Sequence, residues 1–219
     1  VTRMQRLQPK LQHSLVIRNG VDLELFYPIA ARDQLRDQLG YTNFAILCVG
    51  RLVELKGLHK VIDAIQNIDD VTLTLIGDGP QKTALQQQIN RLGLQGRVRI
   101  LAPLAQAALR EHYNAADCLV LASSREGWAN VLLEAMACGT PVLASNIPGN
   151  VGMLGPHYGG YFPPGGAPAL VEALRACRAG MGEPAGRLAT LQAQCEARAP
   201  LFDPSTEQAA LLALLHGLR

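Results

Sequence analysis

Aromatic residues are scarce in this chain, at 5% of 219 residues, and tryptophan occurs once, as Trp128. The interior must therefore be filled by Leu, Ala, Val and Ile, as in layered α/β proteins, and a hydrophobic content of 48% is ample for it. Long apolar runs are missing as well. No stretch approaches the roughly 20 residues needed to cross a bilayer, and no signal-peptide pattern is visible. Charge of one sign is not in excess: the net charge is +2 and Lys and Arg are spread along the chain. No basic block points to nucleic acid. Paired cysteines are absent too, since Cys48, Cys118, Cys138, Cys177 and Cys195 form no CxxC motif. An odd number without metal spacing favours a reducing cytosol over a disulfide scaffold. Within strand-like runs, Cys48 and Cys118 serve as small apolar groups. The histidines at 13, 59, 112, 157 and 216 are scattered without ligand spacing. No internal repeat or low-complexity linker is present. The length suits one large domain or two small ones.

What is present is alternation. Phe44 to Val49 reads as a buried parallel strand ending at Gly50, and Leu58, Val61, Ile62 and Ile65 recur at helical spacing, predicting a helix over 57–68. A β-branched strand over 71–76 is stopped by Gly77-Asp78-Gly79-Pro80, with Pro80 opening the next helix and Gly93 ending it. Strand 97–101, helix 105–115, strand 118–122, helix 130–138 and strand 141–145 follow. After Asn146 the pattern loosens. A short strand and turn is read over 159–165, then helices from about Ala167, Pro184 and Ser205, the last one strongly apolar through Leu211, Leu212, Leu214 and Leu215. Five strands joined by helices predict an α/β fold with a parallel sheet covered by helices on both faces. Ligands of such sheets bind beyond the carboxyl ends of the strands. There the sequence places Gly50-Arg51, Gly77-Asp78-Gly79, Leu101-Ala102 and the run from Ser123 to Gly127.

The most informative segment runs from Ser124 to Pro141, where Glu126 and Glu134 are separated by seven residues. A strand, a glycine-bearing turn and a helix start near Asn130 make an anion site. The two carboxylates cannot bind an anion, but they can accept hydrogen bonds from sugar hydroxyls. The ligand implied is a phosphate with sugars on either side. Glu134 alone is explained by the helix dipole. Glu126 before Gly127 is not, nor is Trp128 in what reads as an exposed loop. Arg51 and Lys56 could be solvated loop cations or a diphosphate clamp. Gly77 could serve an ordinary turn or the close approach of a ligand, and Asp78 reads more simply as a helix cap.

The runs Val49-Gly50-Arg51-Leu52…Lys56-Gly57, Leu75-Ile76-Gly77-Asp78-Gly79-Pro80 and Ser124-Arg125-Glu126-Gly127…Leu133-Glu134-Ala135-Met136-Ala137-Cys138-Gly139-Thr140-Pro141-Val142 closely resemble the donor-binding domain of group 1 (GT4) retaining glycosyltransferases. Ile17-Arg18-Asn19-Gly20-Val21-Asp22 resembles the start of that family's second domain, and 160–165 the turn before its late helix. The resemblance implies the C-terminal, Rossmann-like half of a GT-B fold. It implies that Arg51 and Lys56 hold the donor diphosphate and stabilise it as it leaves. Glu126 would accept a hydrogen bond from the transferred sugar, and Glu134 would bind the ribose. Backbone amides of Gly127, Trp128, Ala129, Asn130 and Val131 would meet sugar and phosphate, with Gly50 and Gly77 beside them. Ile100, Leu101 and Ala102 would border the base. The donor would be a UDP-, GDP- or ADP-sugar, with no metal, since cations of the chain replace it.

The resemblance has two departures. Gly152 stands where the family often has a glutamate after a paired glycine, so no role is assigned there. The family's acceptor site, with a histidine important to catalysis, comes from an N-terminal domain for which this chain has no room. The expectation is thus a fragment: a linker or remnant at 1–14, a nucleotide-sugar-binding domain at 15–200, and a C-terminal helix at 201–219 packing toward the missing domain. The whole enzyme would be cytoplasmic, associate peripherally with the inner face of the membrane, and serve a saccharide or lipid-linked acceptor in polysaccharide synthesis. Alternatives are a nucleotide-sugar epimerase or phosphorylase, whose acid–base set or cofactor lysine is not apparent, and a non-catalytic nucleotide-sugar-binding module.

Overall fold

The structure, a computed structural model, describes residues 19–165 and 167–217. The segment 1–14, Ile17 and Arg18 lie outside the described residues. Helix α1 (Arg32–Leu39) is followed by β1 (Phe44–Val49), a 3-10 turn (Glu54–Lys56), α2 (Leu58–Gln66), β2 (Val71–Ile76), α3 (Lys82–Arg91), β3 (Val98–Leu101), α4 (Gln106–Ala115) and β4 (Cys118–Leu121). Then come α5 (Asn130–Ala137), β5 (Val142–Ser145), α6 (Pro148–Leu154), β6 (Tyr161–Phe162), α7 (Ala167–Ala179), α8 (Arg187–Arg198), a second 3-10 turn (Ala199–Phe202) and α9 (Pro204–Gly217). Among the described residues the six strands are all parallel, in the order β3-β2-β1-β4-β5-β6. The order reverses between β1 and β4, which opens a crevice at their carboxyl ends.

The central strands are buried along their whole length. In β1, Phe44, Ala45, Ile46 and Leu47 are at most 1% exposed, as a strand covered on both faces requires. The helices fall into two packed groups, joined where α7 meets α8. Helix α2 packs on α3 and α7, while α4 packs on α1 and α5, and α5 on α8. Phe202 is buried in the same core, so the C-terminal 3-10 turn belongs to the domain, while α9, tied at its start by Glu207 to the Gly20 amide at 2.7 Å, leaves Leu211, Leu212, Leu214 and Leu215 exposed.

The strand pattern of the sequence is reproduced to within a residue or so at each end. Two helices were not anticipated. Helix α1 buries only Leu35 and so has no apolar stripe. It docks by charge: Arg32 and Arg36, one turn apart, both bind the buried carboxylate of Asp117, which also accepts the Ala45 amide at 2.7 Å. Helix α6 contains Pro148, Gly149 and Gly152, and such a composition reads as a loop. Pro80 does not open α3; it lies in the turn before, and α3 begins at Lys82.

One buried group sets a pH limit on this fold. His112 of α4 is 6% exposed and shares a 2.8 Å hydrogen bond between Nδ1 and the Tyr41 hydroxyl. Burial, aided by the Arg99 guanidinium, lowers its pKa to about 4. The unfolded chain therefore takes up a proton below about 6.5 that the folded chain refuses. Stability will be level above that pH and fall toward pH 4, by at most about 1.4 kcal/mol per pH unit from this group. Urea denaturation at a series of pH values checks it, with His112→Gln expected to flatten that part of the profile.

Candidate functional site

The β1 and β4 loops meet over the crevice because each is tied to the other by backbone. After β1 the chain makes its 3-10 turn and leaves it through Gly57 at φ +63°. A Cβ at Gly57 would lie 2.4 Å from the Ala122 carbonyl oxygen, so only glycine allows this approach. The Leu55 carbonyl accepts the Ser124 amide at 2.8 Å. These contacts deliver Lys56 to Glu126, and Lys56 Nζ lies 2.6 Å from Glu126 Oε1. The pair is largely desolvated, with side chains 22% and 9% exposed. The Ser123 hydroxyl donates to the same oxygen at 2.6 Å. Oε2 of Glu126 has no hydrogen bond among the described residues and remains an acceptor.

A small cleft between β1 and β4 is lined by Gly50, Arg51, Lys56, Leu121 and Ala122. Arg51 is exposed, and its guanidinium forms no ion pair among the described residues. Among the described residues, then, the crevice is bordered by Lys56, fixed on Glu126, and by Arg51, which has no ion-pair partner there.

Beneath Glu126 a buried polar chain fixes the loop. Ser145 Oγ donates to the Ser123 carbonyl at 2.6 Å, and Asn150 Nδ2 donates to the Ser145 carbonyl at 2.9 Å. Gly149 presses on the Glu126 carbonyl, where a Cβ would stand 2.2 Å away. Helix α6 is thus the floor under Glu126.

Helix α5 begins at Asn130, with Ala129 at the N-cap and no side chain capping it. Asn130 is therefore a first-turn residue. With no side-chain acceptor, the Asn130 and Val131 amides are available to an anion from outside, while the Leu132 amide is taken by the Ala129 carbonyl at 2.9 Å. Val131 follows on the same turn, and Glu134 lies one turn further on. Its Oε2 accepts a 2.6 Å hydrogen bond from the Tyr113 hydroxyl. Burial raises the Glu134 pKa, and that hydrogen bond offsets only part of the rise.

The remaining predicted residues are distributed along the same edge. Gly50 and Gly77 end β1 and β2, while Ile100 and Leu101 close β3, with exposed Ala102 next. Strand β3 lies two strands from β1, about 10 Å away. Gly127 is exposed with open space where a Cβ would go. Trp128 departs from expectation. It is half-buried and packs edge-on against Phe202 at 5.9 Å, held there by the C-terminal 3-10 turn rather than lying free in a loop. Asp78 caps nothing; its exposed carboxylate lies 3.8 Å from Lys82. Sequence reading missed Tyr113, Ser145, Asn150 and the role of Ser123. Only Ser123, three residues before Glu126, carried a local signal.

The family model described as Glycosyl transferases group 1 matches residues 32–177. The lipopolysaccharide core biosynthesis glycosyltransferase LpsE of Rhizobium meliloti is 38% identical over 104 residues, covering 48% of this chain and 30% of LpsE. The putative teichuronic acid biosynthesis glycosyltransferase TuaC of Bacillus subtilis is 31% identical over 165 residues, covering 74% of this chain and 40% of TuaC. Among solved structures, Anabaena HepE in complex with UDP matches with a TM-score of 0.81 and 31% identity, over 93% of this chain and 57% of that one. The chain thus spans well under half of these two curated relatives. The six-stranded sheet is the Rossmann-like half of a GT-B fold. With the family match running from α1 through most of α7 and enclosing every residue of the crevice, the chain belongs to the group 1 glycosyltransferases.

Proposed function

We propose that this chain is the nucleotide-sugar-binding half of a retaining glycosyltransferase, which moves a sugar from a nucleoside diphosphate to a hydroxyl acceptor. The observation that carries the reading is the Lys56–Glu126 pair at 2.6 Å, set across the point where strand order reverses. It puts a cation for phosphate and a carboxylate for a sugar hydroxyl side by side. Arg51 and Lys56 hold the diphosphate. As the bond from the anomeric carbon to the phosphate oxygen breaks, that oxygen keeps the electron pair, and the two cations balance its charge. The acceptor hydroxyl oxygen forms the new bond to the anomeric carbon and passes its proton to the departing phosphate oxygen. Glu126 orients the sugar through its free oxygen, and amides from Gly127 to Val131 meet sugar and phosphate. Glu134 takes the ribose hydroxyls, and the backbone from Ile100 to Ala102, with Gly50 and Gly77 beside it, borders the rest of the nucleotide.

Anabaena HepE has been seen with UDP, with UDP and glucose, and with UDP-glucose, which supports a uridine nucleotide sugar as the donor here. The names of LpsE and TuaC support a role in cell-surface polysaccharide synthesis. The acceptor, a saccharide or a lipid-linked one, would be held by an N-terminal domain. No described helix is long and apolar enough to cross a membrane. Peripheral association of the whole enzyme with the membrane's inner face remains part of this reading.

Titration calorimetry with UDP, GDP and ADP tests the reading. UDP binding is expected, and Arg51→Ala and Glu134→Ala should each weaken it by about tenfold or more. Absence of heat with all three nucleotides would leave the site without its ligand.

A further inference from the structure

We propose that Tyr113 is a positioning residue for the ribose carboxylate, fixing one oxygen of Glu134 so that the other is presented to the nucleotide. This rests on the ribose role given to Glu134 above. Tyr113 lies on α4, 21 residues before Glu134, and its side chain is fully buried. Its ring stands edge-on to Phe26 at 6.1 Å, and its backbone carbonyl accepts the Thr140 hydroxyl at 2.7 Å. The ring is therefore buried against Phe26 and its backbone is anchored by Thr140, which fixes where the phenol stands.

Its hydroxyl donates to Oε2 of Glu134 at 2.6 Å, a short bond of the charge-assisted kind. Oε1 has no hydrogen bond among the described residues. A glutamate free in solvent loses rotamer freedom when it captures a ligand. Here that freedom is already gone, so the ribose meets an acceptor that is in place. The arrangement repeats at Glu126, where Lys56 and Ser123 share one oxygen and leave the other open. At Glu134 the holding group is neutral, so the carboxylate keeps its full charge toward hydroxyl donors. The titratable groups that face Glu134 are Tyr113 and Cys138. Burial raises both phenol and thiol, the thiol to about 12, so neither ionises near neutral pH.

Tyr113→Phe removes the donor and keeps the ring that fills the core. The 219-residue chain is titrated with UDP and with a UDP analogue lacking both ribose hydroxyls. Tyr113→Phe is expected to weaken UDP about tenfold and to leave the analogue unchanged. In the Glu134→Gln background it should cost nothing further. Equal weakening of both ligands would make Tyr113 a purely structural residue and overturn the proposal. So would unchanged UDP affinity in Tyr113→Phe beside a clear loss in Glu134→Gln. If Glu134→Gln itself fails to separate UDP from the analogue, the ribose assignment falls, which is a different failure. A readout without ligand completes the test: carboxyl NMR should show Glu134 titrating at higher pH in Tyr113→Phe, because burial then acts unopposed. An unmoved midpoint would show that the phenol does not hold the carboxylate.

Discussion

Replacing Lys56 by alanine will weaken UDP binding to the 219-residue chain by about 10- to 100-fold. That is the loss expected for one charge-assisted hydrogen bond of roughly 1.5–3 kcal/mol to phosphate. Two roles of Lys56 compete in this prediction. It neutralises Glu126, whose side chain is only 9% exposed, and it supplies a cation to the crevice. Glu126→Gln separates them. UDP carries no transferred sugar, so loss of the Glu126 charge removes no ligand contact and releases the ammonium from its partner. Glu126→Gln should therefore bind UDP as tightly as the parent chain, or more tightly, while binding UDP-glucose less tightly. If Glu126→Gln weakens UDP as much as Lys56→Ala, the pair only braces the loops and the diphosphate role is wrong. In an enzyme that also carries an acceptor domain, Lys56→Ala should lower kcat by about 10²- to 10³-fold, the usual cost of removing one group that stabilises developing charge.

Lys56 and Glu126 could each be singled out in the sequence for a physical reason, but their contact could not. Strands buried on both faces are continuous apolar runs, and their ends are marked by glycine and charge, so β1, β2 and β4 and the loops after them could be read directly. The ordering of strands placed those loops on one edge, and the edge collects Lys56 and Glu126 although 70 residues separate them. What could not be read is what depends on a partner distant in sequence. Tyr113 looks like any core tyrosine until α4 is laid beside α5. Helix α1 is attached by Arg32 and Arg36 to a buried Asp117, and no apolar period records that. Trp128 read as exposed because its cover, Phe202, comes from the far end of the chain. Ser145 and Asn150 act through the Ser123 backbone, which leaves no trace in side-chain spacing.

Gly77→Ala will cost about 3 kcal/mol or more of stability and lower Tm by roughly 10 °C. Gly77 ends β2 with φ at +153°, a conformation strained for any residue with a side chain. The space around it is already taken. A Cβ there would lie 1.9 Å from the Gly50 carbonyl oxygen and 2.9 Å from its carbon. Both are backbone atoms, held by the Gly50 amide on the Ile76 carbonyl at 3.0 Å and the Gly77 amide on the Leu101 carbonyl at 3.0 Å. Relief therefore requires the β1 and β2 ends to part, which displaces the Gly50-Arg51 end of β1 on one side of the crevice. Gly127→Ala is the matched control. Gly127 also belongs to the proposed site, but a Cβ there meets nothing within 4 Å. Its Tm should stay within about 2 °C of the parent, consistent with the ±0.5 kcal/mol typical of unencumbered surface changes. Thermal melts of the two variants decide between two meanings of glycine at a ligand site. If Gly77→Ala melts like Gly127→Ala, the β1 and β2 ends are not packed as described. If it melts far lower, Gly77 is required by the close approach of its own chain, and any loss of nucleotide binding in that variant follows from the fold.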